Sequence, residues 1–142
     1  MFRRILIPTD LTDRTLKALE AAGGVLAPDG SQVTLLHVIE TIPGIEFGEL
    51  ASFYGGLEKK ARARLRDIID RAPAQRPELT VEIVHGRRAE EIVRFATSHQ
   101  IDLIVLASHA IDPSQPSQSS RGWGTMSYKV GILAPCPVLL VK

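Results

Sequence analysis

Short apolar runs alternate with longer amphipathic segments along the chain. Ile5 to Pro8, Gln32 to Ile39 and Ile101 to Ala107 have the length of strands and contain few polar residues. Strands that are buried on both faces of a parallel sheet need such runs. Leu79 to Val84 alternates apolar and polar residues, as a half-buried edge strand does. Val138 to Val141 is a fifth, short apolar run.

Helical periodicity fills the intervals between these strands. Apolar residues spaced by three and four predict a helix over residues 12–26, a longer one over residues 50–72, a third after Gly86 and a fourth that opens at Gly124 and Thr125. We expect Gly55 and Gly56 to make the start of the second helix irregular. The residues predicted to face inward are Leu16, Leu19, Ala22 and Leu26; Leu50, Phe53, Leu57, Ala61, Leu65, Ile68 and Ala72; Ala89, Ile92, Val93 and Ala96; and Met126, Val130 and Leu133.

This alternation of strands and helices predicts the fold class. Five strands separated by helices indicate an α/β domain with a mostly parallel sheet and helices on both faces. A doubly wound sheet binds its ligands outside the carboxyl ends of the strands, where the winding reverses. The residues alone leave the strand order open.

The length and the net charge limit the classes of protein to which the chain can belong. A chain of 142 residues suits one domain over residues 1–142, and a net charge of +1 gives no reason to expect nucleic-acid binding. Cys136 is the only cysteine, which excludes an intrachain disulfide and fits a reducing cytoplasm. The chain enters its first strand without a signal peptide or a membrane helix, so we expect a cytoplasmic protein with no membrane contact.

A basic series in the second helix raises nucleic-acid binding as an alternative. Three acidic residues, Glu58, Asp67 and Asp70, flank the basic ones and dilute their charge, and no aromatic side chains are interleaved for base stacking. A solvated helix face is the better interpretation. The series is Lys59, Lys60, Arg62, Arg64 and Arg66.

Histidines near strand ends raise a second alternative, a metal or hydrolytic site. His37, His85 and His109 follow or end three strands, and Asp10 follows the first. Their spacing matches no metal motif, so structural hydrogen bonding is the favoured role. Cys136 lies between two prolines, and we expect it to be a small buried apolar residue. It has no positively charged neighbours in the sequence that would indicate an activated thiolate.

The segment after the fourth strand has an unusual composition. Pro, Ser and Gln dominate Asp112 to Ser120, a composition that packs no core. We therefore expect the loop from Ile111 to Trp123 to be poorly ordered without a ligand. Trp123 either packs over a ligand or anchors the loop, and the sequence leaves both roles open.

Three segments in the last third of the chain resemble the universal stress protein family. They are Leu103 to His109, the Gly124-Thr125 step, and Ala134 to Val141, which reads Ala-Pro-Cys-Pro-Val-Leu-Leu-Val. The likeness extends more weakly over Ile5 to Val141. It implies the strand order 3-2-1-4-5, which places the reversal between the first and fourth strands.

The resemblance also implies an adenine-nucleotide site, for ATP or AMP. Asp10 and Val38 match the family positions that hold adenosine, although Asp10 could instead be a helix N-terminal residue. The family phosphate motif is Gly, two residues, Gly, nine residues, then Gly with Ser or Thr. The site residues that follow from this alignment are Pro8, Asp10, Val38, Ala107, Ala110, Gly124, Thr125 and Met126.

The phosphate motif is only partly present. Ala107 and Ala110 replace the first two glycines, and residues 111–123 make the spacer thirteen residues long. Alanine makes the positive φ angles of a phosphate cradle costly, so we expect weaker nucleotide binding than in members with the full motif. Gly124 and Thr125 at a helix start either retain one anion site or form a simple helix cap.

The function that the resemblance implies is stress response or signalling by a cytoplasmic homodimer, rather than enzymatic activity. Two alternatives are a member that acts through protein partners without nucleotide, and a slow nucleotide hydrolase. No residue is an evident catalytic base for a γ-phosphate. Val138 to Val141 would be an apolar sheet edge in the implied order, so we expect two copies to pair through it.

Overall fold

A computed structural model describes residues 2–23, 26–73, 78–108 and 125–142. Strands and helices alternate along the described residues, and a 3₁₀ turn at Phe47–Leu50 precedes the second helix. The strands are β1 Arg4–Pro8, β2 Gln32–Glu40, β3 Glu78–Gly86, β4 Leu103–Ala107 and β5 Val138–Val141, and the helices are α1 Arg14–Ala22, α2 Ala51–Arg71, α3 Arg88–Ser98 and α4 Thr125–Leu133.

The five strands form one sheet in the order β3-β2-β1-β4-β5. All four neighbouring pairs are parallel. The predicted fold class and strand order are therefore confirmed. β3 and β5 lie at opposite edges, and the winding reverses between β1 and β4.

Two apolar layers cover the two faces of the sheet. Ile5 and Ile7 of β1 pack into the layer formed by α1 and α2. Leu6, between them, packs into the layer of α3 and α4. This alternation follows from the two-residue period of a strand, and it explains why β1 is apolar without a break. Helices cover both faces, as predicted.

Two helix boundaries differ from the prediction. α1 ends at Ala22 because Gly23 takes an extended conformation (ψ 176°), so Leu26 lies outside the helix. α2 runs without interruption through Gly55 and Gly56, where irregularity was expected. Each glycine costs a helix about 1 kcal/mol. Burial of Tyr54 and of three aliphatic residues further along α2 offsets that cost.

Two predictions of inward-facing residues are wrong. Phe53 is 52% exposed, whereas its neighbour Tyr54 is buried in its place. Leu133 is 56% exposed at the end of α4. Adjacent helical residues point about 100° apart, so a small rotation of the helix about its axis changes which of two neighbours is buried.

The fourth strand was predicted to begin at Ile101, which is two residues before it begins in the structure. Gln100 has a φ of +52°, and the Ile101 N–H donates to the Ala96 carbonyl at 2.9 Å. These contacts end α3 in a Schellman-type turn, which uses Ile101 to complete the helix. β4 therefore starts at Leu103.

Candidate functional site

The candidate site lies where the carboxyl ends of β1, β2 and β4 meet. β1 pairs with β2 on one side and with β4 on the other. Pro8 ends β1 and Ala107 ends β4. The reversal of winding thus brings these two predicted site residues to the same end of adjacent strands, as expected for a doubly wound sheet.

Asp10 belongs to a tightly bonded loop between β1 and α1. Its Oδ1 accepts hydrogen bonds from the Thr12 backbone N–H at 3.0 Å and from the Thr12 hydroxyl. Its Oδ2 accepts from Arg14 Nη2 at 2.9 Å. α1 begins later, with Asp13 in the N-cap position. Asp10 therefore closes an Asx-type turn, and its alternative role as the helix N-terminal residue is wrong.

The Asp10 carboxylate stays ionised in this setting. Partial burial acts to raise its pKa, but the hydroxyl and backbone N–H of Thr12 and the positive charge of Arg14 act in the opposite direction. The net result is a pKa below the ordinary value. An ionised carboxylate only accepts hydrogen bonds, so Asp10 suits a ligand that donates them, such as a sugar hydroxyl.

The loop is held in a strained conformation. Leu11 has a φ of +66°, which is costly for a residue with a β-carbon. Its N–H donates to the Thr9 hydroxyl at 3.0 Å, and that hydroxyl lies 2.7 Å from the Thr15 hydroxyl. Its carbonyl accepts a hydrogen bond from Arg64 Nε at 2.9 Å. Contacts on both sides of the residue therefore stabilise the turn.

Arg64 links this loop to α2. Its Nη2 bonds to Asp13 at 2.9 Å and its Nη1 to Asp67 at 2.8 Å. Arg71 Nη2 bonds to the same two carboxylates at 2.7 and 3.0 Å. Hydrogen bonds from Arg71 and then Arg64 lower the pKa of Asp13. Arg64 thus departs from the predicted solvated face, whereas the other four basic residues of the series are exposed as predicted.

A cleft of about 390 Å³ opens beside the loop, between the end of β2 and α2. Apolar side chains and three cations line it, with one carboxylate. Val38 lies in its wall, but Asp10, Pro8, Ala107 and Met126 do not. The lining residues are Leu11, His37, Val38, Ile39, Glu40, Leu57, Lys60, Ala61, Arg64 and Arg88.

The charge of the cleft favours an anionic ligand. Arg64 is already paired with Asp13 and Asp67, which leaves Lys60 and Arg88 against the single carboxylate of Glu40. Arg88 Nε lies 3.7 Å from a Glu40 carboxylate oxygen. That pair is long and largely exposed, so it neutralises Arg88 only weakly. Leu57, Lys60 and Arg88 were not among the site residues predicted from the sequence. The spacing of positions 57, 60 and 64 along α2 was the available signal, since these positions share a helix face.

His37 connects the cleft to the Asp10 loop. Its Nδ1 lies 2.9 Å from the Thr9 carbonyl oxygen. Because a carbonyl only accepts, Nδ1 is the donor in this contact, and in that tautomer Nε2 is an acceptor. The structural role predicted for this histidine is confirmed by the bond to Thr9, and its ring also lines the cleft.

The β4 side of the site is described only in part. Ala107 is half-buried, and the Ser108 N–H donates to the Val141 carbonyl at 2.7 Å. Thr125 begins α4, and Met126 packs against the apolar layer of α3 and α4. Ala110, Gly124, His109 and the predicted loop from Ile111 to Trp123 lie outside the described residues.

The described residues bear on two of the remaining alternatives, a metal site and the role of Cys136. Among the described residues, no group of three or more His, Cys, Asp or Glu could hold a metal ion. Cys136 is half-buried rather than buried, and burial followed by the charge of Asp102 raises the pKa of its thiol. In the part of the chain that the structure covers, no helix has the length and apolar composition to cross a membrane.

The chain is similar in sequence and in fold to known proteins of one family. The model of the universal stress protein family matches residues 1–142. A universal stress protein of Thermus aquaticus, from the 3′ region of the QAH/OAS sulfhydrylase, is 30% identical over 144 residues and is covered completely, as is this chain. The structure of the hypothetical protein MJ0577, a test case for structure-based assignment of function, is 26% identical with a TM-score of 0.74. The match covers 100% of this chain and 96% of that one.

Two more distant structures contain nucleotides. An Arabidopsis thaliana universal stress protein family protein with AMP bound is 16% identical, with a TM-score of 0.64 over 99% of this chain and 91% of that one. A universal stress protein in complex with cAMP is 19% identical, with a TM-score of 0.60 over 99% of this chain and 97% of that one. At these identities the likeness shows the fold alone. The match to the family model and the Thermus relative show that this chain belongs to the universal stress protein family.

Proposed function

We propose that the chain binds an adenine nucleotide in the cleft beside Asp10 and acts in stress response or signalling. The carrying observation is the cleft itself, which combines apolar walls with a surplus of cations next to an ionised carboxylate. Related folds that contain AMP and cAMP support the choice of ligand class. A sensor needs reversible binding rather than chemistry, so we propose no enzymatic activity.

Each part of an adenine nucleotide has a suitable neighbour in this proposal. The base would lie against Leu11, Val38 and Leu57, and the free Nε2 of His37 suits the exocyclic amino group of adenine as an acceptor. The ribose hydroxyls would donate to Asp10. Its carboxylate already accepts three hydrogen bonds but has room for about four.

The phosphates would have less support than the nucleoside. Ala107 and Ala110 stand where the family motif has glycines, and the spacer is thirteen residues long, from 111 to 123. Lys60 and Arg88 at the cleft would be left to balance the charge. Backbone N–H groups of the Gly124-Thr125 step of the family motif would be the remaining donors. We therefore expect AMP and ATP to bind with similar, modest affinity. Restoring both glycines alone should not produce tight ATP binding.

Native mass spectrometry of the purified protein tests the ligand class first, through retained AMP, ADP or ATP. Titration calorimetry with AMP and ATP then tests the site. Asp10→Asn should weaken AMP binding about ten-fold, because hydrogen bonds to a charged acceptor contribute about 1.5–3 kcal/mol. Asp29→Asn, an exposed change of equal charge, should leave affinity unaltered. Absence of binding by the unaltered protein, or equal losses in both variants, would contradict the proposal.

A second candidate function is action through protein partners without nucleotide. The two alanines in the phosphate motif favour it. Calorimetry separates the two candidates, since a partner-only protein should show no heat with AMP or ATP at millimolar concentration.

We also propose a cytoplasmic homodimer that forms through β5. Leu139 and Leu140 are 38% and 41% exposed on this edge strand. α4 adds three more exposed apolar residues, Tyr128, Ile132 and Leu133. Two-fold pairing would cover these side chains and satisfy the unpaired backbone groups of the edge.

A further inference from the structure

An acidic and apolar surface surrounds the connector between β2 and α2. Residues 40–58 contain four glutamates and no Lys, Arg or His, although the whole chain carries a net charge of +1. Four large apolar residues in this stretch are between 41% and 52% exposed. We call Ile42, Ile45, Phe47 and Phe53, with Glu46 and Glu49, the acidic patch.

The apolar residues of the acidic patch lie around one buried ring. Phe47 stacks on Tyr54 with 5.1 Å between ring centroids, and Phe53 lies 5.5 Å from it. The Ile42 N–H donates to the Tyr54 hydroxyl at 2.9 Å, and the Ile45 N–H donates to the Ile42 carbonyl at 3.4 Å. These residues therefore form one continuous surface rather than scattered exposed side chains.

The connector is also tied to the end of β3. The Thr41 N–H donates to the Gly86 carbonyl at 3.3 Å. The His85 ring makes T-shaped contacts with the rings of Phe47 and Tyr54, at centroid distances of 5.0 and 5.8 Å. These contacts fix the connector before any partner arrives, which reduces the entropy lost on binding.

Two carboxylates of the acidic patch have no ion pair among the described residues. Glu40 and Glu58, which flank it, pair with Arg88 and Arg62. Glu46 and Glu49 have no such partner within the described ranges, and both are exposed. A cation supplied from outside would therefore meet two unneutralised charges beside exposed apolar side chains.

The negative charge of the acidic patch indicates which kind of partner can bind there. Anionic lipid surfaces and nucleic acids would be repelled, because both are negatively charged. A second copy in two-fold pairing would bring both copies of these glutamates into one contact without any added cation, since such a contact uses the same surface twice. We infer that the acidic patch is a docking site for a basic amphipathic segment of another protein, with large apolar residues flanked by Lys or Arg.

A fluorescence-anisotropy titration of the full chain tests this inference. The probe is a labelled amphipathic helix of leucine and lysine, about 18 residues or five turns long. Its leucine-glutamate counterpart and a scrambled leucine-lysine peptide serve as comparison probes. We expect the first probe to bind, the glutamate peptide not to bind, and the scrambled peptide to bind at least about ten-fold more weakly.

Paired variants locate the binding surface. Phe47→Ser should weaken binding about ten-fold, because it removes the exposed ring at the centre of the acidic patch. Glu46→Gln with Glu49→Gln should weaken binding at about 50 mM salt and matter little at about 500 mM. Glu20→Gln with Asp29→Asn makes the same charge change elsewhere and should have no effect. Urea unfolding verifies that each variant is folded.

Three results would overturn the inference. One is equal binding of the leucine-lysine and leucine-glutamate helices. Another is an equal loss of binding in the control pair, which would indicate attraction to the whole protein rather than to the acidic patch. A third is a change in sedimentation of the unliganded protein on Phe47→Ser, which would indicate that another copy of this chain occupies the surface.

Discussion

The two edges of the sheet expose similar backbone groups but different side chains. β5 and α4 together span residues 125–142, which contain Lys129 and Lys142 and no acidic residue. β3 carries Glu78 and Glu82, and the acidic patch adjoins its carboxyl end. The edges are separated by four strand spacings, about 19 Å. One contact cannot cover both.

This difference indicates how an edge selects its partner. An apolar edge with little charge is compatible with its own copy in two-fold pairing, because burial is favourable for both chains and no like charges meet. An acidic edge is not self-complementary and favours a basic partner. The proposed homodimer at β5 would therefore leave β3 and the acidic patch accessible in both copies.

The largest expected effect is on the β5 edge. Leu139→Lys or Val141→Lys would place a charge in the apolar contact and should raise the dimer dissociation constant at least about 100-fold. Leu140→Pro should have a similar effect through loss of a backbone donor. Sedimentation velocity at tens of micromolar measures the shift to monomer. Glu82→Lys at the opposite edge is the control and should remain dimeric, and an unaltered chain that sediments as a monomer would contradict the proposal.

A smaller effect is expected where α4 extends the β5 edge. Ile132 is 60% exposed, and Ile132→Glu should raise the dissociation constant about ten-fold. Ile45 is an exposed isoleucine of the acidic patch, and Ile45→Glu should leave the dimer unchanged. Concentration-dependent sedimentation compares the two directly. Equal effects of these substitutions would show that the edges do not act separately.

The strands could be predicted from the sequence because each is a local pattern. The unbroken apolar run in β1 and the alternation in β3 reflect burial on two faces and on one face of the sheet. The order of the strands could not be obtained in this way, because pairing joins segments that lie far apart. Gln32 pairs with Glu78, for example, and no local pattern encodes that contact. The order came from the family resemblance.

The candidate site was predictable where it follows a strand and was missed where it depends on packing. Asp10, two residues after the end of β1, was proposed as a site residue because it matches a family position. Arg64 was missed because its bond to the Leu11 carbonyl spans 53 positions. The sequence around residues 57–64 is equally compatible with a solvated face, and only the position of α2 over β2 places Lys60 in the cleft. Phe53 and Tyr54 were interchanged for the same reason.

The next prediction concerns the ring beneath the acidic patch. Tyr54→Phe removes the acceptor of the Ile42 N–H and should reduce the free energy of unfolding by about 1 kcal/mol. Urea unfolding measures this loss, and the dimer should be unaffected. Tyr128→Phe removes the hydroxyl of an exposed tyrosine at the opposite edge and should change stability very little. A loss as large in Tyr128→Phe would contradict the support assigned to Tyr54.

The acid sensitivity of the fold should come from neither edge. Asp10 and Asp13 lie in the loop after the central strand β1, and both have pKa values below the ordinary 3.8. A lowered folded pKa means that the unfolded chain binds more protons, so stability increases with pH. The contribution of these two carboxylates to the free energy of unfolding is complete above the ordinary pKa. It is lost as the pH falls through the lowered pKa of the folded state.

Asp13→Asn should therefore flatten the decline in stability below about pH 4, where the unfolded carboxylate begins to take up a proton. Arg71→Met should act in the same direction, because the Arg71 hydrogen bond is the main cause of the lowered pKa of Asp13. The effect should be small, since the pairs are exposed to solvent. Thermal unfolding from pH 7 to pH 2.5 measures it. Glu46→Gln, which removes a carboxylate from the acidic patch, is the control, and an equal flattening in that variant would place the acid sensitivity at the β3 edge instead.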